Sequence, residues 1–212
     1  MPNDFSSTVP ESALTRLGHQ LYQRALVRRD EEAITDPRGQ PIGWLLDTRT
    51  PMLDGELFAE IGEVLSERLR ARGVTQVAGF GYGAFPIVCS VLSAPVPTSP
   101  TGEAAAPFKG GFIRERRKAY GRRRLVEGPM DRSQPVALVD DILNSGRSAA
   151  RAIALLRSDG FEVAGLMTLF NFTWSGGRSR LENDGLWVES LLELNLREGA
   201  SQRSRFSHSD SQ

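Results

Sequence analysis

The chain has 212 residues, and its 26 Lys and Arg residues are balanced by 26 Asp and Glu residues, so its formal net charge is zero. This balance excludes a strong overall field for nucleic acid or a membrane surface, and the length suits one α/β domain. The single cysteine, Cys89, excludes an internal disulfide framework and zinc clusters, and its apolar neighbours predict a small core residue.

The N-terminal half begins with a polar leader, residues 1–10, that lacks a signal-peptide pattern, and no apolar run in the sequence is long enough to cross a bilayer. A cytoplasmic protein that does not enter membranes is therefore expected. Helical and strand periodicities then alternate. They predict a helix with a leucine stripe that ends near Arg29, a strand from Ile42 to Leu46, a helix capped by Asp54, a strand from Val74 to Phe80, and a helix over 85–93.

The C-terminal half follows a proline-rich segment, residues 94–107, which we interpret as a flexible insertion. The alternation predicts one α/β domain over 11–196, with a mainly parallel twisted sheet flanked by helices, and a disordered tail over 197–212. The predicted elements are a strand from Gly110 to Arg114, a basic segment from Glu115 to Gly128, a strand from Val136 to Val139, a helix that stops at Gly160, a strand from Glu162 to Phe170, a loop over 171–185, and a final strand from Leu186 to Leu196.

The most informative stretch begins with Val136–Val139, an unbroken apolar run that predicts a strand covered on both faces. We expect the strand to stop at Asp140 and Asp141, because two adjacent carboxylates are costly to bury without a use. A small, hydroxyl-rich turn over 144–148 then opens a helix, where backbone N–H groups and the helix dipole favour an anion such as phosphate. An acid pair for sugar hydroxyls beside a phosphate cradle fits a ribose 5-phosphate.

This stretch resembles the phosphoribosyl-pyrophosphate (PRPP) signature of the type I phosphoribosyltransferases, although Asn144 stands where Thr or Ser is usual. The resemblance covers about residues 14–196 and looks most like the orotate enzymes of that family. It implies a type I phosphoribosyltransferase-like fold with a flexible basic loop. It also implies PRPP contacts from Asp140, Asp141, Asn144, Ser145, Gly146, Arg147 and Ser148. The alternative interpretation is a generic doubly wound domain with an acidic strand end.

Two further segments are similar to the family's pyrophosphate-binding parts. The first is the glycine turn over 79–86, where the resemblance assigns PRPP contacts to Tyr82 and Gly83; an ordinary strand-to-helix turn is the alternative. The second is the basic segment, which resembles the catalytic loop that closes over PRPP and reaches across a dimer interface. It implies catalytic roles for Lys118, Arg114 and Tyr120, together with Asp141 of the acid pair. Glu115 and Tyr120 depart from the family, which has Lys and His there.

The base site departs more strongly from the orotate pattern. Trp44 lies in a segment similar to the family's aromatic strand, where it either stacks on a planar base or belongs to the core. Arg38 is the cation nearest to where the family has a Lys-Ser-Gly turn, and Asn171 lies near a place where the family has an arginine for the orotate carboxylate. A site that has lost its cation loses discrimination for a carboxylate, so orotate is in doubt as the substrate.

The resemblance implies transfer of ribose 5-phosphate from PRPP to a nitrogenous base, with release of pyrophosphate, in a homodimer. It implies Mg²⁺ as cofactor, held mainly by PRPP with no direct protein ligand. Two other functions stay open on the sequence. One is a PRPP- or nucleotide-sensing regulatory protein without turnover, and the other is an interaction protein whose arginines dock an acidic partner, with nucleic acid the less expected one.

Overall fold

The computed structural model of the protein describes residues 11–36, 38–100, 102–117, 119–121 and 123–195. None of the helices in this part of the chain is long and apolar enough to cross a membrane.

Helices and strands alternate along the described chain, as the periodicities predict. The helices are α1 (Glu11–Ala25), α2 (Arg49–Met52), α3 (Gly55–Ala71), α4 (Ala84–Ser93), α5 (Arg147–Ser158) and α6 (Gly177–Glu182). The strands are β1 (Leu26–Arg28), β2 (Trp44–Leu46), β3 (Gln76–Phe80), β4 (Lys109–Ile113), β5 (Val126–Glu127), β6 (Val136–Leu143), β7 (Val163–Phe172) and β8 (Trp187–Leu194).

The central sheet has six strands in the order β5-β4-β3-β6-β7-β8, and β1 pairs with β2 in a separate antiparallel ribbon. All neighbours in the central sheet are parallel except β4 and β5. Side chains of β6 alternate between two cores: Ala137 and Val139 pack with α1, α3 and α4, whereas Val136 and Leu138 pack with α5 and α6. The prediction of a mainly parallel α/β sheet with helices on both faces is confirmed.

Strand β6 is longer than the apolar run predicts. It continues through Asp140 and Asp141 to Leu143, and its pairing with β7 extends to Leu143 opposite Asn171. The expectation that the strand stops at the acid pair was therefore wrong. The reason is that ladder hydrogen bonds to a neighbouring strand do not depend on side-chain polarity, so a strand end that borders a cleft can carry carboxylates.

Three local expectations are also corrected. The first helix ends at Ala25 and not near Arg29, because Leu26 begins β1 and pairs with Leu46. The stretch over 171–185 is not only loop, since it contains the end of β7 and all of α6. Cys89 is exposed on α4 and is not a core residue. The predicted cap of α3 is confirmed: Asp54 accepts hydrogen bonds from the N–H groups of Glu56 and Leu57.

The order of strands fixes where a ligand is expected. The chain runs from β3 outward to β4 and then returns to form β6 on the other side of β3. In open parallel sheets, ligands bind at the carboxyl ends of the strands at such a reversal. The residues after β3 and at the end of β6 are the glycine turn and the acid pair with its following turn. The topology therefore brings these two segments to one edge of the sheet.

Candidate active site

The acid pair presents its two carboxylates to different neighbours. Successive residues of a strand point to opposite faces, which places Asp140 and Asp141 on opposite sides of β6. Asp140 lines a small cleft of about 80 Å³ formed with the turn over 144–148. Asp141 faces the glycine turn, because a Cβ atom built on Gly83 would lie 2.5 Å from its Oδ2 atom. The pair thus joins the two segments that were predicted to bind PRPP.

Asp141 is held in place by two hydrogen bonds. The Thr48 hydroxyl donates to Oδ2 at 2.5 Å, and the N–H of Ile142 donates to Oδ1 at 2.9 Å. Thr48 is almost fully buried, and the β1–β2 ribbon carries it to the site from 93 residues away in the sequence. No role for Thr48 was predicted from the sequence. Its only local signal was that it follows Asp47 at the end of a predicted strand.

The carboxyl group of Asp140 has a raised pKa. Burial, and then the neighbouring Asp141 charge, raise the pKa of Asp140 well above its usual value of 3.8. The N–H of Asp141 donates to Asp140 Oδ1 at 3.0 Å, which opposes the rise without cancelling it. Without a ligand the carboxyl of Asp140 therefore keeps its proton to a higher pH than an exposed aspartate. Perturbed carboxyl groups in clefts are typical of functional sites.

This shift predicts that Asp140→Asn increases stability at neutral pH. The folded protein binds more protons than the unfolded chain between 3.8 and the raised pKa, so the free energy of unfolding falls as pH rises through that interval. Asparagine does not titrate and escapes this loss. Denaturant unfolding of both proteins without ligand, from pH 4 to pH 8, should show that the variant's free energy of unfolding exceeds that of the wild type by a margin that grows with pH. A variant that is less stable than the wild type at pH 7 would contradict the expectation.

The turn over 144–148 and the start of α5 form a cradle of the kind that binds phosphate. Gly146 is the N-cap residue of α5, has φ of 72°, and leaves the first turn without a side-chain cap. The first N–H groups of a helix have no partner within it, so they are available to an anion. The 12-residue helix also has no acidic residue in its first turn. The cleft against this turn is lined by Asn144, Ser145, Gly146, Arg147 and Ser148, all of which were predicted to contact PRPP.

A second segment, residues 175–177, supports this cradle and was not predicted from the sequence. The Ser175 hydroxyl donates to the carbonyl oxygen of Asn144 at 2.6 Å. Gly177, the first residue of α6, lies so close that a Cβ atom there would be 1.9 Å from the same oxygen. The Ser-Gly-Gly triplet at 175–177 was the available signal, but its contact partner is about 30 residues earlier in the sequence. Backbone contact at this distance requires glycine.

The glycine turn borders a second and larger cleft of about 750 Å³. Its floor is aromatic: the rings of Phe85 and Phe112 lie 4.3 Å apart, and Tyr82, which is 86% exposed, approaches Phe85 at 6.2 Å. Arg114 and Arg116 line the same cleft. Glu115 and Glu127 line it as well, so the turn and the start of the basic loop face each other across an apolar floor whose rim carries charges of both signs.

The basic loop, which is the basic segment from Glu115 to Gly128, and Arg114 before it form ion pairs with other residues of the same chain. Arg114 lies 3.8 Å from Glu127, and its buried Nε atom has no hydrogen-bond partner among the described residues. Glu115 lies 3.7 Å from Arg151 of α5. Tyr120 is 75% exposed, and Lys118 lies outside the described residues, so its predicted catalytic role has no structural counterpart here.

The ion pair that joins the basic loop to Asp159 was not predicted from the sequence. Arg117 donates to Asp159 Oδ1 at 2.5 Å, and Arg132 donates to Oδ2 at 2.8 Å. The Asp159 side chain is only 4% exposed. Asp159, which follows the last residue of α5, therefore supplies a carboxylate for Arg117 from within the same chain.

The three residues predicted to contact the base have different surroundings. Trp44 is 38% exposed, and its ring lies 6.0 Å from that of Phe172. Asn171 is buried and donates to Glu193 Oε2 at 2.6 Å on the neighbouring strand. Arg38 is exposed in a turn where Asp36 Oδ1 accepts from its backbone N–H. Trp44 is thus partly exposed, whereas the Asn171 side chain is buried, with its NH2 group bonded to Glu193 and its Oδ1 atom without a hydrogen-bond partner among the described residues.

A divalent cation fits the acid pair only with help from a ligand. The described residues contain no group of three or more His, Cys, Asp or Glu side chains that could hold a metal. The carboxylate oxygens at Asp140 and Asp141 are hard donors, the kind that Mg²⁺ prefers, and Mg²⁺ commonly completes its shell with water and substrate phosphate. The donor set therefore fits Mg²⁺ bound jointly with a phosphorylated sugar.

Known proteins with similar sequences are orotate phosphoribosyltransferases. One from Aquifex aeolicus is 26% identical over 179 residues, which are 84% of this chain and 94% of the relative. One from Mycobacterium bovis is 28% identical over 161 residues, which are 76% of this chain and 84% of the relative. The Mycobacterium tuberculosis orotate phosphoribosyltransferase, solved in complex with PRPP, has TM-score 0.68 and 24% identity, covering 87% of this chain and 97% of that one. No protein-family model matches the chain.

The similarity extends over most of each chain, and the parallel sheet, the acid pair and the glycine-bounded cradle are all in place. The chain has the type I phosphoribosyltransferase fold of these structures, and its sequence is similar to those of orotate phosphoribosyltransferases over most of its length.

Proposed function

We propose that the protein transfers ribose 5-phosphate from PRPP to a nitrogenous base and releases pyrophosphate. The observation that carries the proposal is the position of Asp140 and Asp141 between the uncapped start of α5 and the glycine turn after β3. This arrangement offers a phosphate site, a sugar-hydroxyl site and a close backbone approach side by side. Its relatives are named as enzymes of this type, and nothing in that comparison favours the PRPP-sensing alternative.

The proposed reaction breaks the bond between C1 of the ribose and the pyrophosphate oxygen and forms a bond from C1 to a ring nitrogen of the base, which loses its proton. Asp140 and Asp141 bind the ribose hydroxyls and orient the ring, and the N–H groups of residues 146–148 hold the 5-phosphate. Such positioning can supply a large part of a barrier reduction. The Thr48 hydrogen bond fixes the Asp141 carboxylate, so less reorganisation is needed when the sugar binds.

The pyrophosphate is expected in the larger cleft, between the glycine turn and the basic loop. Arg114 and Arg116 line this cleft, and Lys118 and Tyr120 follow in the same loop. Positive groups at the leaving oxygens stabilise the charge that develops as the C1 bond breaks. When bound, Mg²⁺ supplies further charge neutralisation at the pyrophosphate oxygens. A cytoplasmic location stays part of the proposal.

A screen of free nitrogenous bases with Mg-PRPP, which reads pyrophosphate release, tests the proposed function. At least one base should give release at a rate typical of enzymes, on the order of 10 per second. A protein that binds PRPP tightly but releases no pyrophosphate with any base would favour the sensing alternative. Binding of oligonucleotides that weakens steeply with salt, without PRPP binding, would favour the interaction protein.

The proposal includes a two-fold homodimer in which Lys118 completes the site of the other subunit. If so, mixing Lys118→Ala with Asp141→Ala should restore activity that neither variant has alone. About a quarter of the wild-type activity is expected, because half of the dimers are mixed and each mixed dimer has one intact site. Each variant incubated with itself is the control. If subunit exchange is demonstrated and no activity returns, the loop does not act across a dimer.

A further inference from the structure

An ion pair joins β8 to α6, the helix whose first residue lies against the phosphate cradle. Arg178 is the second residue of α6 and directly follows Gly177, which contacts the Asn144 carbonyl oxygen. Its guanidinium forms an ion pair with Glu193 of β8, and its Nη1 atom donates to the Val188 carbonyl oxygen on the same strand at 2.7 Å. Because both charged side chains are partly exposed, the directional hydrogen bonds matter more here than the charge attraction. The start of α6 is thus fixed to two points on β8.

Glu193 uses its second carboxylate oxygen to bind the end of β7. Its Oε2 atom accepts from the Asn171 Nδ2 group at 2.6 Å, while Oε1 accepts from Arg178 and, at 2.5 Å, from the Ser190 hydroxyl. Leu143, Asn171 and Glu193 are partners in register across β6, β7 and β8. Leu143 ends β6 and is the residue directly before the cradle. One carboxylate therefore links α6 to the strand that pairs with the last residue before the cradle.

A buried asparagine at this link is unfavourable for the stability of the core. Asn171 is only 1% exposed, and its Oδ1 atom has no hydrogen-bond partner among the described residues. A buried acceptor without a partner destabilises a folded protein, and an apolar side chain of similar size avoids this penalty. The hydrogen bond to Glu193 accounts for an amide at this position, whereas core packing does not.

We propose that Arg178, Glu193 and Asn171 are positioning residues for the 5-phosphate. They join α6 to the end of β7, so that the N–H groups at the start of α5 converge on one anion. They act through the backbones of Gly177 and Leu143, which hold the turn of the cradle from two sides. A misplacement of about 1 Å in a binding group can lower function about 100-fold. This inference rests on the proposed function, because that function places the phosphate in the cradle.

Titration of Arg178→Met with ribose 5-phosphate tests the inference, and Arg72→Met is the matched control. Arg72 also pairs with a carboxylate of β8, since its Nε atom donates to Glu189 at 2.6 Å, but Glu189 lies near the start of the strand and Glu193 near its end. Arg178→Met should lower the affinity for ribose 5-phosphate by about tenfold or more, and Arg72→Met should leave it within about twofold of the wild type.

Two further variants separate positioning from a general loss of stability. Arg178→Lys keeps a cation beside Glu193 and should recover part of the affinity that Arg178→Met loses. Glu193→Gln should weaken binding to a similar degree, and its combination with Arg178→Met should add little to the larger single effect, because the two residues act as one unit. Denaturant unfolding identifies conditions where each protein is folded, so that the affinities report the geometry of the cradle. If Arg178→Met does not fold, Glu193→Gln takes its place in the comparison.

Wild-type affinity for ribose 5-phosphate in folded Arg178→Met or Glu193→Gln would overturn the inference while leaving the proposed function intact. An equal loss of affinity in Arg72→Met would also overturn it, because any broken ion pair on β8 would then have the same effect. Absence of ribose 5-phosphate binding in the wild type would overturn the proposed function, and the role of the three positioning residues with it.

Discussion

The double substitution Asp140→Ala with Asp141→Ala should weaken Mg-PRPP binding by about 100-fold or more, since a hydrogen bond to a charged group contributes about 1.5–3 kcal/mol and both carboxylates are removed. Asp140 lines the cradle cleft and Asp141 faces the glycine turn, so the double substitution removes the carboxylate from both sides of the proposed ribose site. Calorimetric titration with Mg-PRPP measures the effect. The fold should persist, because burial disfavours the charged form of Asp140 in the wild type and alanine removes that cost.

A matched control is available at Glu31 and Glu32, which are also adjacent carboxylates but are exposed on the surface. Glu31→Ala with Glu32→Ala also removes two adjacent carboxyl groups and should leave the Mg-PRPP affinity within about twofold of the wild type, as expected for surface substitutions. Equal affinities for the two double variants would show that the acid pair does not bind the ribose.

Gly177→Ala should damage the phosphate cradle from behind. The added Cβ atom would lie 1.9 Å from the Asn144 carbonyl oxygen and 3.0 Å from the Gly146 nitrogen, and these are backbone atoms that cannot move as a flexible side chain does. Overpacking typically costs about 1–3 kcal/mol of stability. The displaced turn should also lower the affinity for ribose 5-phosphate by about tenfold or more, because the N–H groups no longer converge on one anion.

Gly55→Ala is the control for this substitution, since a Cβ atom at Gly55, the first residue of α3, would meet nothing within 4 Å. It should leave ribose 5-phosphate binding unchanged and stabilise the protein by up to about 1 kcal/mol through helix propensity. Denaturant unfolding and ribose 5-phosphate titration of both variants give the comparison. Full ribose 5-phosphate affinity in Gly177→Ala would show that α6 shifts without disturbing the cradle.

The central motif could be predicted from sequence because its parts are contiguous. The apolar run, the acid pair and the small turn lie within one β-turn-α unit, where local spacing determines geometry, and Gly146 adopts the positive φ that such a turn requires. The extension of β6 through the acid pair could not be predicted, because it depends on pairing with β7. Patterns of hydrophobicity do not specify where a ladder between two strands ends.

The supporting contacts could not be predicted because they join distant parts of the chain. Thr48 reaches Asp141 across 93 residues, and Arg117 reaches Asp159 across 42. A threonine after a strand and an aspartate at a helix end each have ordinary local explanations, so neither residue stands out in the sequence. Their partners become evident only when the parallel sheet brings the β1–β2 ribbon, α5 and the basic loop to one side of the molecule.

A crystal structure with ribose 5-phosphate tests the account most directly. We expect the phosphate against the N–H groups of residues 146–148 at the start of α5, and the ribose hydroxyls within hydrogen-bond distance of Asp140 and Asp141. A phosphate bound instead between Arg114 and Arg116, with the cleft at residues 144–148 occupied by water, would contradict it.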